Sequence, residues 1–347
     1  MYEIIQEGSA RIKVPKTEKI SSKMEVFYNP AMRINRDIAI LFLKSIISSA
    51  LDIALPLEAT GIRGIRFLKE IPKKKINGIA FNDLKKEAVL LIKKNLRLNR
   101  LTGKKIIVAN KDANLFLQES SGFDYIDIDP FGSPNPFLDS AVKRLRSDGY
   151  LAITCTDTAS LSGTYPNACL RKYWATPLRD TNMHETGIRI LLRKVQLIGS
   201  QYHKALLPVF CYYHLHYFRA YFKCLNSKKA TEGILAQHGM IGNAGPLWIG
   251  RLWDNLLVSS MVEKSSKETA GLLNLIKEES LVDTVGFFDI HELCSSYKIS
   301  TIPKMEDILT TLVSLGYSAS RTHFSPTGVR SNITKDELIE VIKKKVF

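Results

Sequence analysis

Asp129 is followed by Pro130, Phe131 and Gly132, which sets a carboxylate and an aromatic ring side by side on one short turn. The run before it, residues 122–128, alternates β-branched and polar side chains as a strand does. Pro130 donates no hydrogen bond, and Gly132 with Pro134 punctuates a loop, so the strand stops at Asp129. In open α/β sheets, ligands bind beyond the carboxyl ends of the strands. An acceptor beside a ring suits a flat heterocycle with an exocyclic amine. The same four residues also suit an acidic strand end followed by an ordinary turn.

Two further acids hold comparable positions. Asp83 closes the strand-like run 78–83, 22 residues after Gly61. In a dinucleotide-type fold, an acid about 20 residues beyond the glycine turn accepts hydrogen bonds from ribose hydroxyls. Asp112, followed by Ala113, comes just after the strand 105–109. One acid at a strand end is unremarkable, whereas three in register suggest a site. Gly61 itself lies in Ala59-Thr60-Gly61-Ile62-Arg63-Gly64, between a short apolar strand at 53–58 and a helix with apolar residues at Ile62, Ile65, Leu68 and Ile71. A glycine there lets backbone approach a ligand with no Cβ in the way, although many such turns bind nothing.

The elements that must position these residues alternate. Strands at 53–58, 78–83, 105–109, 122–128 and 149–156 are interleaved with helices at 62–71, 85–99 and 137–146, which predicts a mostly parallel, doubly wound sheet. A helix from residue 35 to 47 precedes them, and paired strands over 209–222 complete the sheet. Residues 226–233 are polar and loop-like, so a domain boundary is placed after residue 226. That gives an α/β domain over 1–226 and a smaller α+β domain over 227–347. The smaller domain carries helices at 251–263, 267–279, 289–297 and 303–315. Pro303 opens the last of these, and a strand at 317–324 follows. Thr334 with Glu337 forms a capping box for a final helix. Helix, helix, strand and turn resembles a winged helix, an analogy at the level of fold alone.

Lys and Arg outnumber Asp and Glu by 49 to 34, a net charge of +15 that favours a polyanionic partner, most simply nucleic acid. Basic and aromatic residues interleave at Arg171-Lys172-Tyr173-Trp174 and Arg179, which suits either a surface tracking a backbone or a solvated helix face. Five cysteines with no C-x-x-C pair argue against a disulfide framework and a structural zinc site. His214 and His216 lack a third ligand nearby and read as strand residues. No basic-then-apolar leader opens the sequence and no apolar run is long enough to span a bilayer, so a cytoplasmic protein without membrane attachment is expected.

Taken together, Phe27-Tyr28-Asn29-Pro30, Asn35-Arg36-Asp37, residues 59–66, Asn82-Asp83, Asp112-Ala113 and Asp129-Pro130-Phe131-Gly132-Ser133-Pro134 resemble a known family. So do Cys169-Leu170-Arg171-Lys172-Tyr173 and the late Arg321-Thr322-His323-Phe324-Ser325-Pro326-Thr327-Gly328. The chain resembles the archaeal tRNA (guanine-26-N2)-dimethyltransferases, which use S-adenosylmethionine. The likeness implies a Rossmann-like methyltransferase domain, a tRNA partner, no metal, and transfer of one or two methyl groups to a guanine amine. It implies that Arg36 holds the methionine carboxylate, that Thr60 and Gly61 lie against the cofactor, and that Arg63 or Arg66 touches ligand. By the same likeness Asp83 takes the ribose and Asp112 with Ala113 the adenine edge. Asp129 would accept from the guanine amine, with Phe27 and Phe131 flanking the base. The family's first-strand motif usually opens on an aspartate. Here the register gives Leu55 and Pro56, leaving Glu58 as the nearest acid. The alternatives are an amino methyltransferase on another base of RNA or DNA, and an RNA-binding protein with a dead methyltransferase fold.

Overall fold

Leu51–Leu55 is apolar at every position but Asp52, and only a strand covered on both faces can bury such a run. In the computed structural model, which describes residues 2–16, 24–48, 50–103 and 105–346, it is the third strand in chain order. The chain begins with β1 (Tyr2–Glu7), β2 (Ala10–Pro15), α1 (Arg33–Ser45), β3 (Leu51–Leu55) and α2 (Ile62–Glu70). It continues with β4 (Ile76–Asn82), α3 (Lys86–Leu98), β5 (Ile106–Ala109), α4 (Ala113–Gln118), β6 (Phe123–Ile128), α5 (Asn135–Arg144) and β7 (Leu145–Cys155). Next come α6 (Thr158–Leu161), α7 (Pro166–Tyr173), α8 (Met183–Ser200), β8 (Lys204–His214), β9 (Tyr217–Asn226) and α9 (Lys228–Leu235). The remainder is β10 (His238–Ile241), β11 (Ala244–Trp248), α10 (Asn255–Glu263), α11 (Lys267–Ser280), β12 (Phe288–Asp289), α12 (Ile290–Ser296), α13 (Met305–Ser314), β13 (Ala319–Thr322), β14 (Ser325–Ser331) and α14 (Lys335–Val346).

Packing divides the chain into two compact units: Met1–Asp157 with Lys194–Val209 and Tyr217–Ala236, and Thr158–Arg193 with Phe210–His216 and Gln237–Phe347. The expected boundary after residue 226 falls ten residues before the last crossing between them.

The first unit is built on a seven-stranded sheet of order β5-β4-β3-β6-β7-β9-β8. The pairs β3–β4, β3–β6, β4–β5 and β6–β7 are parallel, and β9 returns antiparallel to β7. The chain therefore runs outward from β3 to β5, then begins again on the other side of β3 with β6. That reversal opens the crevice in which doubly wound sheets bind ligands. The β1–β2 hairpin sits on α3 through its own main chain. Asn95 accepts from the Lys13 amide at 2.8 Å, and Asn99 from the Arg11 amide at 2.9 Å.

The second unit holds a three-stranded antiparallel sheet of order β12-β14-β13. Strand, helix, helix, strand, strand, with the last strand central, is the winged-helix arrangement. Its core gathers Ile290, Leu293, Ile308, Leu312, Val329, Leu338 and Ile342. Beneath β14 lies a buried charge cluster. Arg330 pairs with Glu185 at 2.6 Å and Glu279 at 2.9 Å, and Arg189 pairs with Glu185 at 2.9 Å.

Two local expectations are corrected. Residues 228–235 form a helix rather than a loop, because Ser227 caps the Ala230 amide at 3.2 Å while Thr231 and Ile234 are buried. Pro303 precedes α13 instead of opening it; Lys304 is the N-cap, in an extended conformation. Among the described residues no helix is long and apolar enough to cross a membrane.

Candidate active site

Strand order fixes what the edge of the first sheet offers. Asp112 follows β5, Asp83 follows β4, Glu58 lies in the turn after β3, and Asp129 follows β6, so four acids stand on neighbouring strand ends. Asn82, wholly buried, ties three of those turns together. Its amide donates to the carbonyls of Pro56 and Lys111, each at 3.0 Å, and its oxygen accepts from the Lys111 amide.

Asp83 braces the glycine turn. Its Oδ2 accepts from the Ala59 amide at 2.8 Å and its Oδ1 from the Lys85 amide at 2.9 Å. Each carboxylate oxygen has a second lone pair, so both remain able to accept from a ligand hydroxyl. Gly61 sits at φ +81°, and Ala59 two residues before it at φ +49°, so the turn relies on left-handed backbone that glycine adopts without strain. Asp112 caps α4 through Oδ1 alone, toward Asn114 and Leu115, with Ala113 buried beneath. Thr60 is buried, and its carbonyl accepts from Asn95 at 2.8 Å.

Glu58, in the turn after β3, is itself held by the helix that follows. Its Oε1 accepts from the Gly64 amide at 2.8 Å, inside the first turn of α2. Burial pushes its carboxyl up to about 8, against the pull of Arg63 and that amide, with Asp127 and Asp129 adding to the rise.

The two arginines that sequence could not separate part company. Arg66 is consumed in packing: it meets Glu7 at 3.0 Å, Asp37 at 2.6 Å and Glu70 at 2.8 Å, joining β1, α1 and α2. Arg63 instead reaches Asp129 directly, and Asn35 Oδ1 accepts from its Nη2 at 2.9 Å. Below it, Asp127 Oδ2 stands 3.5 Å from Arg63 Nη1 and is held bidentately by Arg219 at 2.7 and 2.8 Å. Tyr125 donates to the same carboxylate at 2.7 Å, and Thr154 accepts from Arg219 at 2.8 Å. Against the cost of burial, the charges of Arg219 and Arg63 hold the Asp127 carboxyl below its ordinary value. Arg63 Nη1 and Arg219 Nε are buried and make no hydrogen bond. Asp129 ends this column, with 23% of its side chain exposed.

Gly132 anchors the other end of the loop. Its amide donates to Thr156 Oγ1 at 2.7 Å, and its carbonyl accepts from the Thr156 amide at 2.9 Å. Phe131 is thus held between two fixed points and stays 55% exposed. Phe27 meets it edge to face, with ring centroids 4.5 Å apart and an interplanar angle of 86°. Neighbouring Val26 packs on Ala88 and Leu91 of α3, and Asn29 caps the turn that follows.

Arg36 departs from the simplest picture of a carboxylate clamp. It already grips one carboxylate: Nε and Nη2 donate to Glu7, both at 2.6 Å. Glu7 lies far from any glycine or aspartate motif, and nothing in its sequence surroundings marks it. Asp127 and Arg219 do carry a signal. Each is the one fully buried charge of its strand, beside the partly exposed Asp124 and Lys223, and such charges require partners.

The pattern of the N2,N2-dimethylguanosine tRNA methyltransferase family matches residues 8–243 and 235–343. A tRNA (guanine(26)-N(2)/guanine(27)-N(2))-dimethyltransferase of Aquifex aeolicus is 37% identical over 99% of this chain and 96% of its own. The tRNA (guanine(26)-N(2))-dimethyltransferase of Thermococcus kodakarensis is 39% identical over 98% of both chains. The structure of Trm1 from Pyrococcus horikoshii with S-adenosyl-L-methionine superposes with a TM-score of 0.90 at 36% identity, covering 98% of this chain and 99% of that one.

Proposed function

The chain belongs to the N2,N2-dimethylguanosine tRNA methyltransferase family, and from that premise we propose that the strand-end crevice beside β3 and β6 is where a tRNA guanine is methylated. The enzyme is a tRNA (guanine-26-N2)-dimethyltransferase that uses S-adenosyl-L-methionine. When bound, that cofactor supplies a methyl group on a positively charged sulfur. The residues present suit it. Asp83 and Asp112 are acceptors beside a backbone turn with no Cβ at Gly61, fit for ribose hydroxyls and the amine of adenine. Thr60 and Ala113 would flank them. Arg36 enters this reading through Nη1 alone, because Glu7 holds its other edge. Arg66 and Arg63 act by holding other side chains, Arg66 at the base of the hairpin and Arg63 beneath Asp129.

The observation that carries the assignment is the loop fixed at both ends, Asp129 on Arg63 and Gly132 on Thr156. A guanine N2 lone pair is delocalised into the ring and is a weak nucleophile. A carboxylate accepting its N–H draws the amine toward a tetrahedral shape and frees the pair for attack. Holding the acceptor rigidly is then the protein's main contribution, since positioning alone lowers such barriers substantially. The guanine must leave its stack to arrive there. Phe27 and Phe131 offset part of that cost by stacking, about 1–3 kcal/mol per base. Carbon contacts of about 3.5 Å on each face require more room than the present 4.5 Å between the rings. Entry of the base therefore parts them, and Phe27 is the ring to move, because Phe131 is pinned.

Incubation with labelled cofactor and unmodified tRNA transcripts, followed by nucleoside mass analysis, tests this reading. Transcripts with guanine at position 26 alone or at 27 alone separate the two specificities carried by the relatives' names. Label in N2-methylguanosines from the first is expected. Label in adenosine or cytidine would overturn it.

A further inference from the structure

Within the second unit, two helices face solvent with opposite character. The second helix of the winged-helix arrangement, α13, exposes Glu306, Asp307, Thr310 and Val313, with Arg321 already paired to Glu306 at 2.6 Å. An acidic face of this kind repels a phosphate backbone. Helix α7 buries only Cys169 and Tyr173, and exposes Leu170, Arg171 and Lys172. At its ends stand Tyr165, 61% exposed, and Trp174, 48% exposed.

Trp174 is also held against its backbone preference. It closes α7 at φ +57° and ψ +42°, the left-handed region, and among the described residues it carries the largest side chain of the eight non-glycine residues at positive φ. Its carbonyl accepts from Arg193 Nη1 at 3.3 Å, although Arg193 Nε is buried with no hydrogen bond of its own. The opposite end is equally constrained. Gly163 has φ +79°, and a Cβ there would come within 2.7 Å of the Leu178 carbonyl, while Arg179 donates to Thr164. Bulky residues keep such a conformation only where the surroundings impose it, and imposed strain concentrates where it serves binding.

We infer that α7 is a tRNA docking platform, with Trp174 stacking on an unpaired base and Arg171 with Lys172 meeting phosphates. The inference rests on tRNA being the substrate. Flat rings beside cations accept any sequence, because every base has a stacking face.

The test uses the full-length enzyme and an unmodified tRNA transcript. Trp174→Gly and Trp174→Leu are expected to raise KM for tRNA about tenfold, with kcat within twofold and Trp174→Phe near wild type. Arg171→Gln should raise KM and flatten its logarithmic dependence on salt by about one unit of slope. KM following ring character rather than thermal stability supports the platform. Unchanged KM in Trp174→Gly and Arg171→Gln, or KM that tracks melting temperature across the series, overturns it and leaves α7 to another partner or to folding. Loss of product from the wild-type enzyme would instead undo the assigned reaction, so the two failures are distinct.

Discussion

Two buried columns of charge run through this molecule, one in each unit, and they end differently. In the second unit, Arg330 is shared between Glu185 and Glu279 and also donates to the carbonyls of Thr284 and Gly286. His323 closes the far end: its Nδ1 lies 2.6 Å from Glu279, and its Nε2 accepts from the Tyr213 amide at 3.3 Å. With Nε2 accepting, Nδ1 carries the proton, and the ring has no atom left for a substrate. The column in the first unit climbs from Arg219 through Asp127 and Arg63 and stops at a carboxylate open to solvent. Closure makes the former a structural clasp. The open end, with two buried N–H groups left unsatisfied below it, makes the latter a pedestal.

That contrast sets the order of expected effects. Arg330→Met removes the charge shared by two buried carboxylates, leaving Glu185 to Arg189 and Glu279 to His323, and a loss of about 3–5 kcal/mol is expected in denaturant unfolding; a loss under about 1 kcal/mol would mean the clasp is not closed. Asp129→Ala acts at the open end, so stability should hardly change and both tRNA and cofactor should still bind. Its kcat should fall about a hundredfold or more, roughly 3 kcal/mol, and retention of a tenth of the wild-type rate would remove Asp129 from the chemistry. Arg63→Lys keeps the charge but loses the fork that meets Asp129 and Asn35 together, and about a tenfold drop in kcat is expected with KM for tRNA unmoved. A drop in melting temperature without that kinetic change would class the pedestal with the clasp.

Glu58→Gln gives the finest comparison, because the buried proton at Glu58 belongs to the open column alone. The carboxyl titrates near 8 in the folded chain against an ordinary 4.5. Below 4.5 both states hold the proton and nothing changes. Between the two values only the folded state holds it, so stability falls as pH rises toward 8 and then levels. The expected slope is about 1 kcal/mol per pH unit at its steepest. Unfolding curves of Glu58→Gln should lack it, while the loss of stability toward acid that the lowered Glu279 carboxyl contributes would persist.

What could be read in the sequence was what is local. Asp83, Asp112 and Asp129 were legible because strand alternation and turn residues are set within a few positions, and parallel strands place their ends on one edge. Phe27 was legible only through family resemblance. The partners of Arg63 and Arg66 were not, since residues three apart on one helix share a face and only tertiary neighbours distinguish them. Glu7, arriving from a distant hairpin, decides both Arg36 and Arg66. The late Arg321–Gly328 run was legible as part of the family resemblance, and its His323 belongs to the clasp through Glu279. Asp127 and Arg219 are opposite charges within apolar strands, and each is explained by the other.

Contact between Phe27 and Phe131 has a kinetic consequence. The two rings already touch each other, so each turnover starts and finishes in the same pair. After a first methyl transfer, closing of the rings competes with a second visit of cofactor to the same base. The ratio of singly to doubly methylated guanosine then works as a clock on ring closure. Shaving Phe27 to leucine removes one stacking face from the base, which then departs sooner, so that ratio should shift toward the singly methylated nucleoside.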